Sequence, residues 1–171
     1  MAQLTTDRLT LTPVSREDYE DFRSLWADEG FTRLITGRPL SGEEVWFRVL
    51  RDIGHWAAMG YGNWTLRRRE DGAFVGSVGV LEYRRELEPA FGAPELGWGL
   101  ASAHQGQGYA TEAVEAALRH ADETLKAART ACMIDPGNTP SVRLAERVGY
   151  RAYARTTYKE HPVILYERLR P

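Results

Sequence analysis

The sequence predicts an α/β (α+β) fold, with a mixed, mostly antiparallel sheet of about seven strands flanked by about four helices. Stretches with strand periodicity and stretches with helical periodicity follow one another in the order β-α-α-β-β-β-α-β-α-β-β. Hairpin signals join strands early and late in the chain, whereas crossovers occupy its middle. The length of 171 residues suits one domain, which we expect to span residues 1–171.

The first half of the chain predicts a strand, two helices and a hairpin. In residues 8–14, leucines alternate with threonines, as in a half-buried strand. Ser15 and Ser41 each begin a helix, and Glu44 completes a capping box with Ser41. Residues 63–80 then alternate on both sides of an Asp-Gly turn, which indicates a hairpin.

The second half predicts two crossovers and a final hairpin. Proline in the first turn of the last helix does no harm there, because its missing N–H would have had no partner. A glycine then ends that helix. The predicted elements are a strand at 95–100, a helix at 108–125, a short buried strand at 131–134, a helix from Asn138 or Thr139 to Gly149, and strands at 151–158 and 163–169.

Composition and charge exclude several classes of protein. The formal net charge is −2, so no basic field would attract nucleic acid. Cys132 is the only cysteine and the four histidines show no ligand spacing, so we expect neither a disulfide nor a metal. No apolar run reaches the ~18 residues that a membrane span needs, and residues 1–7 do not resemble a signal peptide. We expect a cytoplasmic protein that binds neither nucleic acid nor membrane.

The most informative stretch is Gln105-Gly106-Gln107-Gly108-Tyr109-Ala110, between a predicted strand and a predicted helix. Glycines let backbone N–H groups approach an anion, and the start of a helix adds free donors and a positive dipole end. Such a nest suits a pyrophosphate. The stretch has neither a Walker lysine nor the Gly-x-Gly-x-x-Gly spacing of dinucleotide folds. A plain glycine-rich turn is the alternative.

The same stretch resembles a family signature. Gln105-x-x-Gly108-x-Ala110 resembles the pyrophosphate-binding motif of the GNAT acetyltransferases, and residues 106–113 look like the ribosomal-protein N-terminal acetyltransferase branch. Three further segments are similar to that branch, in the same order: Thr6-Asp7-Arg8-Leu9-Thr10-Leu11, Glu95-Leu96-Gly97-Trp98-Gly99-Leu100, and Asn138-Thr139-Pro140-Ser141 followed by Arg147-Val148-Gly149-Tyr150. The resemblance covers nearly the whole chain.

The resemblance implies an acyl-CoA-dependent N-acyltransferase that passes an acetyl group from acetyl-CoA directly to a primary amine. The fourth and fifth strands would splay apart and hold the pantetheine arm between them. The implied cofactor-binding residues are Gly97, Trp98, Gly99, Leu100, Gln105, Gly106, Gln107, Gly108, Tyr109, Ala110, Thr111, Asn138 and Ser141. Purely structural roles stay open for some of them: a bulge or tight packing at Gly97 and Gly99, and helix capping at Asn138 and Ser141.

The implied reaction needs a neutral amine, a polarised carbonyl and a proton for the leaving thiolate. Glu95 matches a position where several family members carry a base, although it would also serve merely to position the amine. A lysine amine, with a pKa of ~10.4, needs a base more than a chain-terminal amine near ~8. Many members supply the proton from a tyrosine, but the matching residue here is Ala145. Ser141, or a water that it holds, is the remaining candidate.

The acceptor is the partner that the sequence determines least. In this family it enters between residues 31–46 and residues 82–91, the segments with least family pattern. Candidates are a protein N-terminal α-amine, a small amine or amino acid, and an antibiotic amine. A non-catalytic acyl-CoA-binding or sensing domain is the competing class, and the presence of Glu95 and Ser141 favours catalysis over it. Homodimers are common in the family, which makes a second copy a further candidate partner.

Overall fold

The chain folds around one mixed sheet of eight strands. The computed structural model describes residues 2–171. The strands are β1 Leu4–Thr5, β2 Leu9–Pro13, β3 Asn63–Arg68, β4 Phe74–Leu81, β5 Glu95–Leu100, β6 Arg129–Ile134, β7 Arg151–Tyr158 and β8 His161–Leu169. Their spatial order is β1-β2-β3-β4-β5-β6-β8-β7, and every neighbouring pair is antiparallel except β5 with β6.

Five helices pack on the two faces of this sheet. They are α1 Tyr19–Ala27, α2 Glu29–Thr32, α3 Gly42–Met59, α4 Tyr109–Glu123 and α5 Thr139–Arg147. The capping box of α3 forms, since Ser41 Oγ accepts from Glu44 N at 3.2 Å and the Glu44 carboxylate accepts from Ser41 N at 2.8 Å. Gly60, with φ of +75°, ends the same helix. None of the helices described is both long and apolar enough to cross a membrane.

The predicted fold class is confirmed, with two short elements added. β1 has two residues and α2 has four, so both are shorter than the windows in which periodicity is detectable. Pairing of Leu4 with Leu11 places β1 at the edge of the sheet. The α2 turn begins at Asp28, whose Oδ1 accepts from Gly30 N at 2.8 Å. Long-range contacts and one local cap, rather than hydrophobic pattern, define these two elements.

One side of the sheet, the apolar face, packs on α4 and α5. Its strands contribute large buried side chains, and the helices contribute mostly small ones. The members are Leu9, Leu11, Trp64, Leu66, Val78, Val80, Leu96 and Leu100 from the strands, and Ala113, Val114, Ala117, Leu144 and Ala145 from the helices. This face is the main hydrophobic core.

The other side, the polar face, lies under α1 and α3. Thr65 Oγ1 donates to Asp18 at 2.8 Å, and the Arg67 guanidinium donates to the same carboxylate at 2.9 Å. Asn63 Nδ2 donates to Asp52 Oδ2 at 3.0 Å. Both carboxylates are almost completely buried, so these hydrogen bonds offset the cost of removing charge from water.

The strands β5 and β6 separate almost where they meet. They share one register pair, Glu95 with Ala131. The flanking pairs β4–β5 and β6–β8 each extend over six residue pairs. The predicted splay between the strands at 95–100 and 131–134 is therefore present, and it leaves a gap that runs from Glu95 towards Leu100.

Candidate active site

The gap leaves backbone groups of β5 without a strand partner. In an antiparallel ladder, alternate residues direct their N–H and C=O groups to the same neighbour. Ala101 N donates to Val75 O at 2.9 Å, so the odd-numbered residues of β5 bond to β4. Trp98 and the N–H of Leu100 therefore direct free backbone groups into the gap, whereas the Leu100 carbonyl accepts from the Gln105 side chain. An extended molecule that carries amides would find free donors and acceptors there.

The two glycines of β5 differ in what surrounds them. A Cβ at Gly99 would lie 2.7 Å from Phe31 Cε2, closer than packed atoms approach. A Cβ at Gly97 would lie 3.4 Å from Leu81 Cδ1, an ordinary contact. Tight packing therefore requires a glycine at position 99, which is one of the interpretations that the sequence left open. The Phe31 ring brings the α2 segment directly against β5.

The loop before α4 has the geometry of an anion-binding nest. Gly106 has φ of +72° and Gly108 has φ of +83°, conformations that glycine adopts at little cost. No side chain among the described residues caps α4 at Gly108, so the N–H groups of its first turn stay free beside the positive end of the dipole. Gln105 and Gln107 fold back, each donating at 3.1 Å, to the carbonyls of Leu100 and Ala103 respectively. The predicted residues 105–111 are thus gathered around exposed backbone.

Arg8 braces this loop, and the sequence analysis gave it no such role. Its guanidinium donates to Gln107 O at 2.9 Å, pairs with Glu112 at 2.7 Å and lies 4.4 Å from the centre of the Tyr109 ring. Against the effect of burial, hydrogen bonds from Thr6 and Arg8 lower the pKa of Glu112. About a hundred residues separate Arg8 from the loop in sequence, so no local pattern could have indicated this contact.

Asn138 and Ser141 lie at the start of α5. Asn138 Oδ1 accepts from Ser141 N at 3.3 Å, which makes Asn138 the cap of this helix. Both side chains are half-buried, and Leu144 and Ala145 of the same helix pack into the main core. The capping role of Asn138 is therefore observed, whereas contact of either residue with a cofactor stays a prediction.

Glu95 lies at the closed end of the gap and is paired. It is 6% exposed, and its two carboxylate oxygens accept from Arg85 Nε at 2.6 Å and Nη2 at 2.9 Å. Arg85 also donates to Tyr158 Oη at 3.2 Å. Although burial opposes it, the hydrogen bonds and charge of Glu95 raise the pKa of Arg85. Sequence spacing does not reveal this partner, because a loop separates Arg85 from Glu95 in the chain.

A cavity of about 420 Å³ opens beside Glu95. Its walls are residues 81–85 and 90–95, which include most of one predicted acceptor segment. Tyr83 Oη donates to Asp52 Oδ1 at 2.8 Å and ties this wall to α3. The other predicted acceptor segment follows α2, and Leu34 Cδ2 lies 3.7 Å from the Cβ position of Gly137, just before α5. The two segments thus border the gap, one near Glu95 and one near the start of α5.

Comparison with known proteins assigns the fold to a family. A family model for the acetyltransferase (GNAT) domain matches residues 8–151. The chain is a GNAT acetyltransferase. The protein YkkB of Bacillus subtilis is 35% identical over 171 residues, covering 97% of this chain and 95% of that protein. An N-acetyltransferase from Bacillus licheniformis, p20, is 25% identical and covers 88% of this chain and 83% of its own length.

Solved structures agree with this GNAT assignment. A structure from Bordetella pertussis that carries the name of a GnaT-family acetyltransferase is 34% identical, with a TM-score of 0.86 and coverage of 98% of this chain and 99% of that one. RimL, a ribosomal L7/L12 α-N-protein acetyltransferase solved with coenzyme A, is 17% identical, with a TM-score of 0.80 and 98% of each chain covered. At that identity RimL shares the fold.

Three further side chains that bear on the chemistry of this GNAT domain are buried. Cys132 is 1% exposed on the apolar face, and burial raises the pKa of its thiol. Ala145 is fully buried, and Tyr150, 2% exposed, lies with its hydroxyl 2.7 Å from Thr130 Oγ1. Residues 2–171 contain no cluster of three or more His, Cys, Asp or Glu side chains that could hold a metal.

Proposed function

We propose that this acetyltransferase takes its acetyl group from acetyl-CoA and transfers it directly to a primary amine. The gap between β5 and β6 carries the proposal. At its open end lies the nest at residues 105–110, and at its closed end lies the cavity beside Glu95. A ligand with a pyrophosphate, a chain of amides and a reactive end would match these three features in order.

The nest and the start of α4 are the pyrophosphate site in this proposal, and the free backbone groups of Trp98 and the N–H of Leu100 pair with the pantetheine amides. Two observations support the fit: the first-turn N–H groups of α4 have no cap, and Gly106 exposes backbone with open space at its Cβ position. Asn138 and Ser141, at the start of α5, are assigned in this proposal to the reactive end. When bound, acetyl-CoA supplies an activated thioester.

The residues around the gap have distinct roles in the transfer. The amine nitrogen attacks the thioester carbon, so that a C–N bond forms, the C–S bond breaks, the nitrogen loses a proton and the thiolate gains one. Backbone N–H groups of β5 are the donors for the carbonyl oxygen. The Ser141 hydroxyl, or a water that it holds, donates a proton to the departing thiolate, because a thiol of pKa ~8.5 leaves poorly at neutral pH without a proton.

Glu95 has two candidate roles, and its pairing favours one of them. If Glu95 acted as a base, it would have to accept the proton of the amine on an oxygen that already accepts a hydrogen bond from Arg85. Positioning the amine needs only the existing charge and geometry. We therefore assign Glu95 to holding the amine, and the pH response of a Glu95→Gln variant separates this role from proton abstraction.

The acceptor class is proposed as a protein N-terminal α-amine or a small-molecule amine. The likeness to a fold that carries N-terminal acetylation supports the first, since RimL is named for an α-N-protein activity. The cavity of about 420 Å³ supports the second, because it has the size of a small-molecule site. A chain terminus has an amine with a pKa near ~8, so it would need little help from a base.

The test combines a thermal melt with a CoA-release assay. Acetyl-CoA at about 100 times its dissociation constant should stabilise the fold by about 2.7 kcal/mol, and NAD or ATP should do so much less. CoA should then be released in the presence of amines and N-terminal peptides. A melt that acetyl-CoA does not shift would disprove the cofactor. A shift without release from any amine would identify a binding or sensing domain instead.

A further inference from the structure

Arg48, on α3, differs from every other arginine in residues 2–171. Several arginines make neither a hydrogen bond nor an ion pair, and all of them except Arg48 are exposed. Arg48 is half-buried, with its guanidinium carbon 4.3 Å from the centre of the Trp26 ring. A guanidinium keeps its proton at neutral pH, so a full positive charge lies there without a partner.

The charges around Arg48 do not cancel. Arg51 pairs with Asp52 at 2.9 Å, and Arg85 pairs with Glu95 at 2.6 Å. Glu44, one turn earlier on α3, is already paired with Arg38 at 2.6 Å. Three guanidinium groups thus face two carboxylates, with one positive charge in excess. Burial, and secondarily the charge of Arg51, lower the pKa of Arg48. An anion bound here would remove this penalty.

Arg48 lies on the polar face of the sheet, between groups that border the two ends of β5. Its ring partner Trp26 packs against Phe31, with 5.0 Å between ring centres, and Phe31 is the residue that closes on Gly99. Towards the other end of β5, Tyr83 lies under the guanidinium groups of Arg51 and Arg85, at 4.4 Å and 5.3 Å. The unpaired charge is therefore held between the two ends of the strand.

We propose that Arg48 binds an anionic group, a carboxylate or a phosphate, that the acceptor amine itself carries. The inference rests on the proposed acetyl transfer and states which amines the site prefers. A guanidinium offers a planar fork of donors that matches either group, and stacking on Trp26 fixes its plane. The amine end of such a molecule carries the opposite charge and lies towards Glu95.

Matched acceptor pairs test this preference. Amino acids are compared with the same amino acids as amides, and aminoalkyl phosphates with the corresponding amino alcohols, so that the carboxylate and phosphate arms are separate. The wild-type kcat/KM should favour the anionic member of at least one pair by about 10- to 100-fold, the value of a hydrogen-bonded charge pair. Arg48→Gln should abolish the preference and leave the rate with the neutral member unchanged. Arg48→Lys should keep part of it.

A matched control and a binding measurement complete the design. Arg119→Gln removes an exposed arginine of α4 and should change neither rate nor preference. The thermal melt of Arg48→Gln should equal or exceed that of the wild type, because the variant loses an unpaired buried charge. If Arg48→Gln does not fold, the Arg48→Lys comparison carries the test alone, with a reduced preference expected and an unchanged one contradicting the proposal.

The outcomes distinguish this inference from the proposed function. If no amine releases CoA, yet anionic amines shift the melt of the wild type and not of Arg48→Gln, the anion site stands and the transfer reaction fails. If neutral amines are acetylated as fast as anionic ones, or if Arg48→Gln slows both members of a pair equally, the anion site is wrong and the transfer reaction stands.

Discussion

The two faces of the sheet are both buried, but they are buried with different chemistry. The apolar face presents Trp64 and Leu66 to the alanines of α4, and dispersion and hydrophobic burial hold it together. The polar face presents Thr65 and Arg67 to Asp18 through hydrogen bonds, and a smaller apolar cluster of side chains from α1, α2 and α3 packs beside them. Neighbouring residues of β3 are therefore stabilised differently, by apolar packing on one face and by hydrogen bonds on the other.

This difference corresponds to a division of labour. Helices on the apolar face deliver the phosphate nest and Ser141, which belong to the proposed cofactor side. The polar face carries Glu95, Asp52 and the unpaired Arg48, which belong to the proposed acceptor side. The gap between β5 and β6 is where the two sides meet, because it interrupts the sheet that otherwise separates them.

The largest expected effects come from the two proposed reactive groups, one from each side of the sheet. Ser141→Ala and Glu95→Gln should each lower turnover by ~10²–10⁴-fold while acetyl-CoA affinity is nearly retained. If Glu95 positions the amine, its variant should stay slow at all pH values. If it is the base, activity should return in part at high pH, where the amine is already neutral.

Ser141→Ala should not recover with pH, because the departing thiolate still lacks its donor. The control is Glu17→Gln, which removes an exposed carboxylate paired with Arg16 at 2.8 Å just before α1. Wild-type rates in both the Ser141 and Glu95 variants would show that catalysis rests on positioning and backbone dipoles alone.

A substitution on the apolar face should lower stability without changing which acceptor the protein prefers. Trp64 is fully buried, and its Nε1 donates to Ala2 O at 2.7 Å. Trp64→Ala should lower the free energy of unfolding by about 3–5 kcal/mol, measured by urea denaturation. Trp46→Ala, at a side chain that is 36% exposed, should cost much less. Equal losses at the two positions would mean that the apolar face is not the dominant core.

The nest can be broken without touching the core. Gly108→Val should remove most of the ~2.7 kcal/mol by which saturating acetyl-CoA stabilises the fold, because a β-branched side chain disfavours φ of +83° and crowds the phosphates. Gly72→Val is the matched control, since Gly72 has φ of +75° in a hairpin turn with open space around it. Gly72→Val should cause comparable backbone strain, but acetyl-CoA should still stabilise that variant as it does the wild type. An unchanged shift in folded Gly108→Val would make the loop a plain turn.

The smallest expected effect lies on the polar face. Asp52→Ala leaves the Tyr83 hydroxyl and the Asn63 amide without their acceptor, which should cost about 1–3 kcal/mol of stability. Because Tyr83 lines the cavity, the acceptor KM should rise while acetyl-CoA affinity stays constant. Asp122→Ala, which removes the partner of Arg168 on α4, should reduce stability without changing the acceptor KM. A rise in KM in both variants would remove the distinction between the faces.

Much of the cofactor half was predictable because its signals are local. Glycines before a helix need left-handed backbone, and the observed φ values of Gly106 and Gly108 have that sign. The splay followed from the family resemblance of residues 95–100, and the single pair between Glu95 and Ala131 confirms it. The partners that complete these features, Arg8 at the loop and Arg85 at Glu95, were missed because ion pairs between loops and strands leave no periodic trace.

The sequence by itself determined the order of the main elements and the fold family, and it predicts the place where a phosphate-bearing ligand would bind. Each rests on short-range rules: side-chain periodicity, helix capping and the backbone freedom of glycine. Only the tertiary structure decided which charges are compensated. The sequence indicates no ion-pair partner for either Arg48 or Arg85. Folding nevertheless brings Arg85 to a buried carboxylate and leaves Arg48 on an aromatic ring without a carboxylate. Charge compensation depends on distances between residues far apart in the chain, and those distances exist only once the helices have packed on the sheet.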